Sequence, residues 1–242
     1  MKKTLIVIIV LHILTFSSYA GNTVTKRYDF DTIKSIDASS IYEIEVTEGH
    51  EKGVTIVYDS TLEKCLEVKC INGELILAMN SKVKKVNNSK GIKVYLQMPT
   101  IEYLDLSGAA KLTTSGVFKT SRLNIDLSGA TSVKGLHISG SELSIDCSGA
   151  SSLSISGDFS RSIEADVSGA SKVIITGNSG DLDVEASGAS NVCIVGDFSG
   201  CIDTDASGAS KVTINGDGRD IKFEASGASS IKINGSTDSF RS

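Results

Sequence analysis

The chain has 242 residues, of which 24 are basic and 29 acidic, so its net charge at pH 7 is −5. This acidic balance argues against nucleic acid as a partner. With 23 glycines, one proline and no tryptophan, the composition supplies many turn residues and no indole ring to stack on a sugar.

The first 20 residues have the features of a secretory signal peptide. Lys2 and Lys3 precede an apolar run from Leu5 to Phe16, and Ser18-Tyr19-Ala20 follows it. This pattern predicts export with cleavage after Ala20, and the run is too short to favour the alternative of an uncleaved membrane anchor. Without residues 1–20 the chain carries 22 basic and 29 acidic residues and no segment apolar enough to span a bilayer. We expect it in the periplasm, on the outer surface or secreted.

The rest of the chain, residues 21–242, is predicted to form a single all-β domain. Residues 21–100 are rich in strand-forming residues but have no regular period. We predict irregular strands in this part, followed by regular repeats over 101–235 and a tail at 236–242.

The regular part is defined by a three-residue motif, Ser-Gly-Ala, that recurs every 19 to 21 residues. Its seven copies begin at Ser107, Ser128, Ser148, Ser168, Ser187, Ser207 and Ser226. A period near 20 residues means that each unit is too small to bury its own apolar face and is completed by its neighbours.

Apolar side chains alternate on both sides of each motif, which is typical of strands with one buried face. Before the motif they stand five, three and one residues ahead of the serine, as in Leu123, Ile125 and Leu127. After it they stand five and seven residues on, as in Val173 and Ile175. We predict that all of these residues point inward.

A glycine stands nine residues after the serine in six copies, with His137 as the exception. These glycines predict a second corner that needs positive φ or close backbone approach. Strand, corner, strand and corner make a right-handed parallel β-helix with coils of about 20 residues. A leucine-rich repeat is disfavoured by the missing Leu spacing, and a β-propeller by the short period. The six glycines are Gly116, Gly157, Gly177, Gly196, Gly216 and Gly235.

The two ends of such a β-helix need covering, because an open sheet edge invites another chain to add to it. We expect the irregular N-terminal strands to close one end. The tail 236–242 is a thin cap, so we expect a second copy of the chain, or an irregular turn, at the other end.

Four segments of the chain carry a resemblance to a known family: Tyr28–Ile36, Ile41–Gly49, Asn72–Leu77 and Tyr95–Ala109. They combine Glu-Ile-Glu-Val-x-x-Gly with serial Ser-Gly-Ala, and the likeness covers nearly the whole chain after residue 20. In these features the chain resembles the auto-transporter adhesin "head GIN" domain family. The resemblance implies an exported bacterial β-helical protein, in a family whose function is mostly unknown and whose label implies adhesion.

A carboxylate stands two residues before every motif serine, and it has three candidate roles. The favoured role is structural: the side chain faces water, accepts hydrogen bonds from the Ser-Gly-Ala backbone and has its repulsion softened by solvent and by nearby lysines such as Lys111, Lys172 and Lys211. Calcium binding between coils is a weaker alternative, with Asp126, Asp146, Asp166, Glu185 and Asp205 as candidates. Catalysis by a carboxylate pair ranks lowest, because a catalytic residue is needed only once. The full set is Asp105, Asp126, Asp146, Asp166, Glu185, Asp205 and Glu224.

The serines, histidines and cysteines show no catalytic or metal-binding pattern. The serines lack a Gly-x-Ser-x-Gly elbow, and neither His50 nor His137 lies in a recognisable constellation. Cys147 is predicted to be a core residue. Cys193 and Cys201 flank a short connection, but a disulfide between them is disfavoured. We expect no catalytic residue and no cofactor.

The sequence therefore predicts an exported, non-enzymatic binding or adhesin-like protein of the cell envelope. Flat repeated faces without a deep pocket suit a polysaccharide or protein ligand bound along the rod. The alternative is a polysaccharide lyase or hydrolase that uses some of the repeated carboxylates, an analogy from fold alone.

Overall fold

The computed structural model describes residues 22–80 and 91–241, so the predicted signal peptide lies outside the described residues. Apart from one 3-10 turn at Ser60–Leu62, the regular elements described are strands. In chain order they are β1 (Thr23–Tyr28), β2 (Ser35–Ser40), β3 (Tyr42–Glu48), β4 (Val54–Asp59), β5 (Leu66–Ile71), β6 (Glu74–Met79), β7 (Ile92–Met98), β8 (Tyr103–Gly108), β9 (Lys111–Ser115), β10 (Phe118–Leu127), β11 (Ser132–Cys147), β12 (Ser152–Ser156), β13 (Phe159–Val167), β14 (Lys172–Thr176), β15 (Ser179–Ala186), β16 (Asn191–Val195), β17 (Phe198–Ala206), β18 (Lys211–Asn215), β19 (Gly218–Ala225), β20 (Ser230–Asn234) and β21 (Ser239–Arg241).

The strands form two sheets that share the long strand β11. Sheet A runs in space as β1, β4, β7, β3, β9, the first part of β11, β12, β14, β16, β18 and β20. Sheet B runs as β5, β6, β2, β8, β10, the second part of β11, β13, β15, β17, β19 and β21. Among the strands of the described ranges, only β1–β4, β4–β7 and β5–β6 pair antiparallel. The predicted parallel β-helix with irregular N-terminal strands is confirmed.

The interior is built from the apolar columns that the sequence pattern predicts. Leu123, Ile125 and Leu127 on sheet B, and Val173 and Ile175 on sheet A, are all buried. Because equivalent residues pair in register from coil to coil, each side chain packs against its counterparts above and below.

Each Ser-Gly-Ala segment forms the corner at which the chain passes from sheet B to sheet A. The Gly149 backbone has φ of +72°, and a Cβ there would lie 2.5 Å from the Gly129 carbonyl oxygen. The amide of Ala150 donates to that same oxygen at 2.7 Å, and the amide of Ser148 donates to the Leu127 carbonyl at 2.8 Å. Left-handed backbone and coil-to-coil hydrogen bonding therefore both require glycine here.

The second corner is closed in a similar way, and the predicted role of its glycine is confirmed. A Cβ at Gly157, Gly177, Gly196, Gly216 or Gly235 would lie 1.6–1.9 Å from a carbonyl oxygen of the preceding coil. In the coil that carries His137 instead, β11 passes through the corner as one 16-residue strand. Its register shifts between Val133 and Leu136.

A ladder of Asp and Asn side chains follows the second corner. The Oδ1 atom of Asp158 accepts from the amide of Asn178 at 2.9 Å, and Oδ1 of Asn178 accepts from the amide of Asp197 at 2.8 Å. Asp197 and Asp217 each accept in turn from the coil that follows. These bonds supplement the strand ladders and fix each coil against the next.

Large and small residues alternate inside this corner. Phe159, Ser179, Phe198 and Gly218 are successive partners in register, and both phenylalanines are buried. A small residue therefore separates one phenylalanine from the next along this column.

The two ends of the solenoid differ. At the N-terminal end, Tyr28, Ile33, Tyr58 and Leu62 are buried beneath the antiparallel strands. In the last coil the interior is only half covered, as shown by Phe223, Ile231 and Ile233. Phe240 in β21 packs on Phe223 with 5.2 Å between ring centroids and stays 60% exposed. Within the described part of the chain, β20 has β18 as its only strand partner.

No helix in the described ranges has the length and apolarity that crossing a membrane requires.

Substituting a motif glycine tests the role of the first corner. We expect Gly169→Ala, at φ +68° and with a Cβ 2.5 Å from the Gly149 oxygen, to lower the free energy of unfolding by about 1–3 kcal/mol. Urea unfolding followed by circular dichroism measures the change. Ala170→Ser, at the exposed neighbouring residue, is the control and should have little effect. Equal midpoints for the glycine variant and the wild type would contradict the corner assignment.

Candidate functional site

The carboxylates that precede each motif form one continuous column on the outer face of sheet B. Adjacent strands pair these residues directly, one carboxylate per coil. The column also includes Asp37 of β2, which pairs with Asp105 and was missed by the sequence pattern. This acid column consists of Asp37, Asp105, Asp126, Asp146, Asp166, Glu185, Asp205 and Glu224.

A shorter second column of acids lies beside the first. Glu164, Asp183 and Asp203 are partners in register on β13, β15 and β17, two residues before the acid column in each strand. The next residue in this column is Lys222, whose Nζ lies 3.0 Å from Asp203 Oδ2. Three successive coils therefore present two carboxylates each on the same face.

An open groove of about 530 Å³ runs along the acid column where sheet B turns into the Ser-Gly-Ala corner. Asp146 lines one end of the groove, and each of the next four coils contributes a carboxylate, a small apolar residue and the motif serine. In one of these four coils the residues are Glu185, Ala186 and Ser187. The groove therefore repeats one chemical unit at the coil spacing of about 4.8 Å.

The predicted hydrogen bonds from the Ser-Gly-Ala backbone to the acid column are wrong. The serine and alanine amides of the corner donate instead to carbonyl oxygens of the preceding coil, as Ser168 and Ala170 do. At the N-terminal end of the column, the Tyr103 hydroxyl donates to Asp126 Oδ2 at 2.5 Å. The carboxylates thus leave most of their acceptor capacity to solvent or a ligand.

The predicted softening of the carboxylate repulsion by three lysines is also wrong, because those lysines lie on the other sheet. Lys111, Lys172 and Lys211 follow the corner and lie on sheet A, whereas the acid column lies on sheet B. Lys111 Nζ is 3.7 Å from Glu43 Oε1, also on sheet A. Lys222 of sheet B, rather than these lysines, attracts Asp205 and Glu224 of the acid column. Nearer the N-terminal end, Asp37, Asp105 and Asp126 still repel one another.

Burial raises several carboxyl pKa values, and repulsion between neighbouring carboxylates adds to the effect. Burial raises the pKa of Asp105, with Asp37 and Asp126 adding to the effect. Burial likewise raises the pKa of Asp183, and its neighbours Asp203 and Glu164 raise it further. These groups hold their protons more tightly in the folded chain than in the unfolded one. Stability is therefore lost as the pH rises through the range above the ordinary value of 3.8.

The five calcium candidates are consecutive members of the acid column. Calcium takes six to eight oxygen ligands around one point, whereas the column supplies one carboxylate per strand along a line. Within the described ranges, no three His, Cys, Asp or Glu side chains are placed to hold a metal ion. Calcium binding by Asp126, Asp146, Asp166, Glu185 and Asp205 stays an untested prediction.

The structure also locates the serines, histidines and cysteines. Ser156 Oγ lies 3.0 Å from His137 Nδ1 on sheet A, a pair that sequence spacing gave no reason to expect. Cys147 is buried in the core as predicted. Cys193 and Cys201 are on sheets A and B respectively, and both are free thiols.

Removing one carboxylate from the outer face of sheet B tests the repulsion between the like charges there. At pH 7 we expect Asp183→Asn to raise the urea midpoint, because the amide replaces a carboxylate surrounded by like charges. The gain should shrink as the pH falls toward the ordinary carboxyl value of 3.8, because the raised pKa of Asp183 lets the wild-type carboxyl take up its proton over that range. The control Asp238→Asn, in the exposed tail, should leave the midpoint unchanged. A gain that is equal at pH 7 and pH 3, or absent at pH 7, would count against this electrostatic assignment.

Three solved structures resemble this fold across 92% of the chain. A "putative adhesin" from Parabacteroides merdae ATCC 43184 has a TM-score of 0.61 at 15% identity, with 97% of its chain covered. A "putative adhesin" from Parabacteroides distasonis ATCC 8503 has a TM-score of 0.59 at 15% identity, also with 97% covered. A "putative lipid binding protein" from the same strain has a TM-score of 0.60 at 17% identity, with 98% covered. At these identities the likeness shows a shared fold.

Comparison with curated protein sequences gives no match. The sequence model of the family described as "Putative auto-transporter adhesin, head GIN domain" matches residues 29–236. That match spans β2 to β20 and all seven Ser-Gly-Ala corners. The chain therefore belongs to the auto-transporter adhesin head GIN domain family.

Proposed function

We propose that this protein is an exported, non-enzymatic binding module of the cell envelope whose ligand lies along the acid column. The observation that carries the proposal is the groove on sheet B, which offers the same carboxylate and serine in successive coils. The family description as an adhesin supports a surface-binding role in general terms. It names no ligand.

Repetition favours binding over catalysis. A catalytic acid or base acts once and needs surroundings that distinguish it from its neighbours. Asp146 and Asp166 instead occupy equivalent places in adjacent coils of one open groove. A polysaccharide lyase or hydrolase would require one of these places to differ from the rest.

An extended ligand suits this geometry. Carboxylates accept hydrogen bonds from hydroxyl, amide and ammonium groups, and serine hydroxyls both donate and accept. A polysaccharide or protein strand lying along the rod would meet these groups repeatedly, so many weak contacts add up to useful affinity. This arrangement supports an adhesin-like role without a deep pocket.

A ligand array scored for both binding and turnover tests the proposal. We expect binding to at least one envelope polysaccharide or protein, with no product formed, and we expect Asp146→Asn combined with Asp166→Asn to weaken that binding about tenfold or more. Asp158→Asn is the matched control, because Asn178 already fills the equivalent place in the next coil. Products that appear with the wild type and vanish with the double variant would favour the enzyme alternative.

We also propose that the C-terminal end of the solenoid associates with a second copy of the chain. The outer edge of β20 has no strand partner within the described ranges, and Ile231 and Ile233 are only half-buried. The N-terminal end is closed by antiparallel strands, so two C-terminal ends meeting around a two-fold axis is the favoured contact.

Sedimentation equilibrium over a concentration series measures this association. We expect a dimer that Ile233→Lys converts to a monomer, because an inward-facing charge blocks pairing of an edge strand. Lys232→Ser, on the outward face of the same strand, is the control and should remain dimeric. A wild type that stays monomeric at the highest concentrations would rule the contact out.

A further inference from the structure

The two outer faces of the regular solenoid carry opposite charge. Among the sheet B strands from β8 to β19, the residues include 13 carboxylates and five basic side chains. The sheet A strands from β9 to β20, with Ser132–Lys134 of β11, contain no Asp or Glu and five lysines. We call the outward side of these sheet A strands the lysine face. Its lysines are Lys111, Lys134, Lys172, Lys211 and Lys232.

The positive charge of the lysine face is not neutralised locally. Lys111 has Glu43 at 3.7 Å, but within the described ranges no carboxylate lies within 4.0 Å of Lys134, Lys172, Lys211 or Lys232. The acid column lies on the outer side of sheet B, across the solenoid from the lysine face. Stacked sheets stand about 10 Å apart before outward side chains are added. That separation exceeds the Debye length of about 8 Å at physiological salt. A surface that approaches the lysine face therefore meets its positive charge despite the acidic total.

The lysine face is also flat. From β12 to β20 the register of sheet A runs without a shift, so the outward columns are straight. Between the lysines stand short hydroxyl and amide side chains, as at Ser152, Thr176 and Asn191, together with the outward Ile174, Cys193 and Val195. The hydroxyl and amide groups donate hydrogen bonds to phosphate oxygens.

We propose that the lysine face docks on a planar anionic lipid surface. Positive charge selects anionic headgroups, and a flat array of hydroxyl, amide and ammonium donors fits a plane of phosphates better than it fits a single polymer chain, which would be held by a groove. The groove along the acid column then faces away from the membrane. This assignment is independent of which ligand the groove binds.

Co-sedimentation of the purified protein with lipid vesicles tests the docking surface. We expect binding to vesicles of phosphatidylglycerol mixed with phosphatidylcholine, loss of that binding at high salt, and none to phosphatidylcholine alone. The double variant Lys172→Ser, Lys211→Ser should lower the partition about tenfold or more. Serine stands at the same register in the neighbouring strands β12 and β20, so the fold should be kept.

The control variant removes the same charge from the opposite face. Lys119→Ser with Lys222→Ser changes the net charge equally but lies on sheet B, and it should bind vesicles like the wild type. If both double variants lost vesicle binding equally, net charge alone would explain the binding and the proposal would be overturned. Failure to bind anionic vesicles at low salt would overturn it too, as would binding to a soluble anionic polysaccharide without binding to vesicles. Asp146→Asn with Asp166→Asn should leave vesicle binding intact, which separates this test from that of the groove.

Discussion

The close approach of successive coils at two corners is the constraint on which the rest of the structure depends. At the first corner the Ala150 amide reaches the Gly129 oxygen at 2.7 Å, and at the second a Cβ on Gly177 would stand 1.7 Å from the Gly157 oxygen. Only glycine allows both contacts. Because the corners stack without side chains between them, the strands beside them stay in register, and their paired positions form straight columns, as on sheet A from β12 to β20.

Columns determine both the interior and the surface. Inside, they stack Val173 on Val192 and Ile175 on Ile194, and they alternate Phe159 and Phe198 with smaller residues, which keeps the core filled at a fixed coil spacing. Outside, they bring like charges together on sheet B, where burial and the neighbouring Asp203 and Glu164 raise the pKa of Asp183. Charge gathered on one face in this way supports the proposed binding role.

The sequence alone predicted the regular coils well, because alternation and glycine spacing reflect local backbone geometry. It missed the coil hidden in β2, where Ser39 and Ser40 pair with Ser107 and Gly108. Ser40 takes φ of +98° in the place of the usual glycine, so no Ser-Gly-Ala string marks this corner. Asp37 was overlooked for the same reason. The partners of the acid column were also mispredicted, since spacing along one coil does not reveal that the carbonyls of the preceding coil already hold the motif amides.

Native-state hydrogen exchange of the corner amides tests the stacking most directly. The alanines at 150, 170 and 189 are exposed residues, yet each amide donates to a glycine carbonyl of the preceding coil at 2.7 Å. We expect these amides to be protected to the same degree as buried strand amides such as that of Val173. Exchange at the rate of an open loop, with the strands still protected, would show that successive corners are not hydrogen-bonded to one another and would contradict the stacked solenoid.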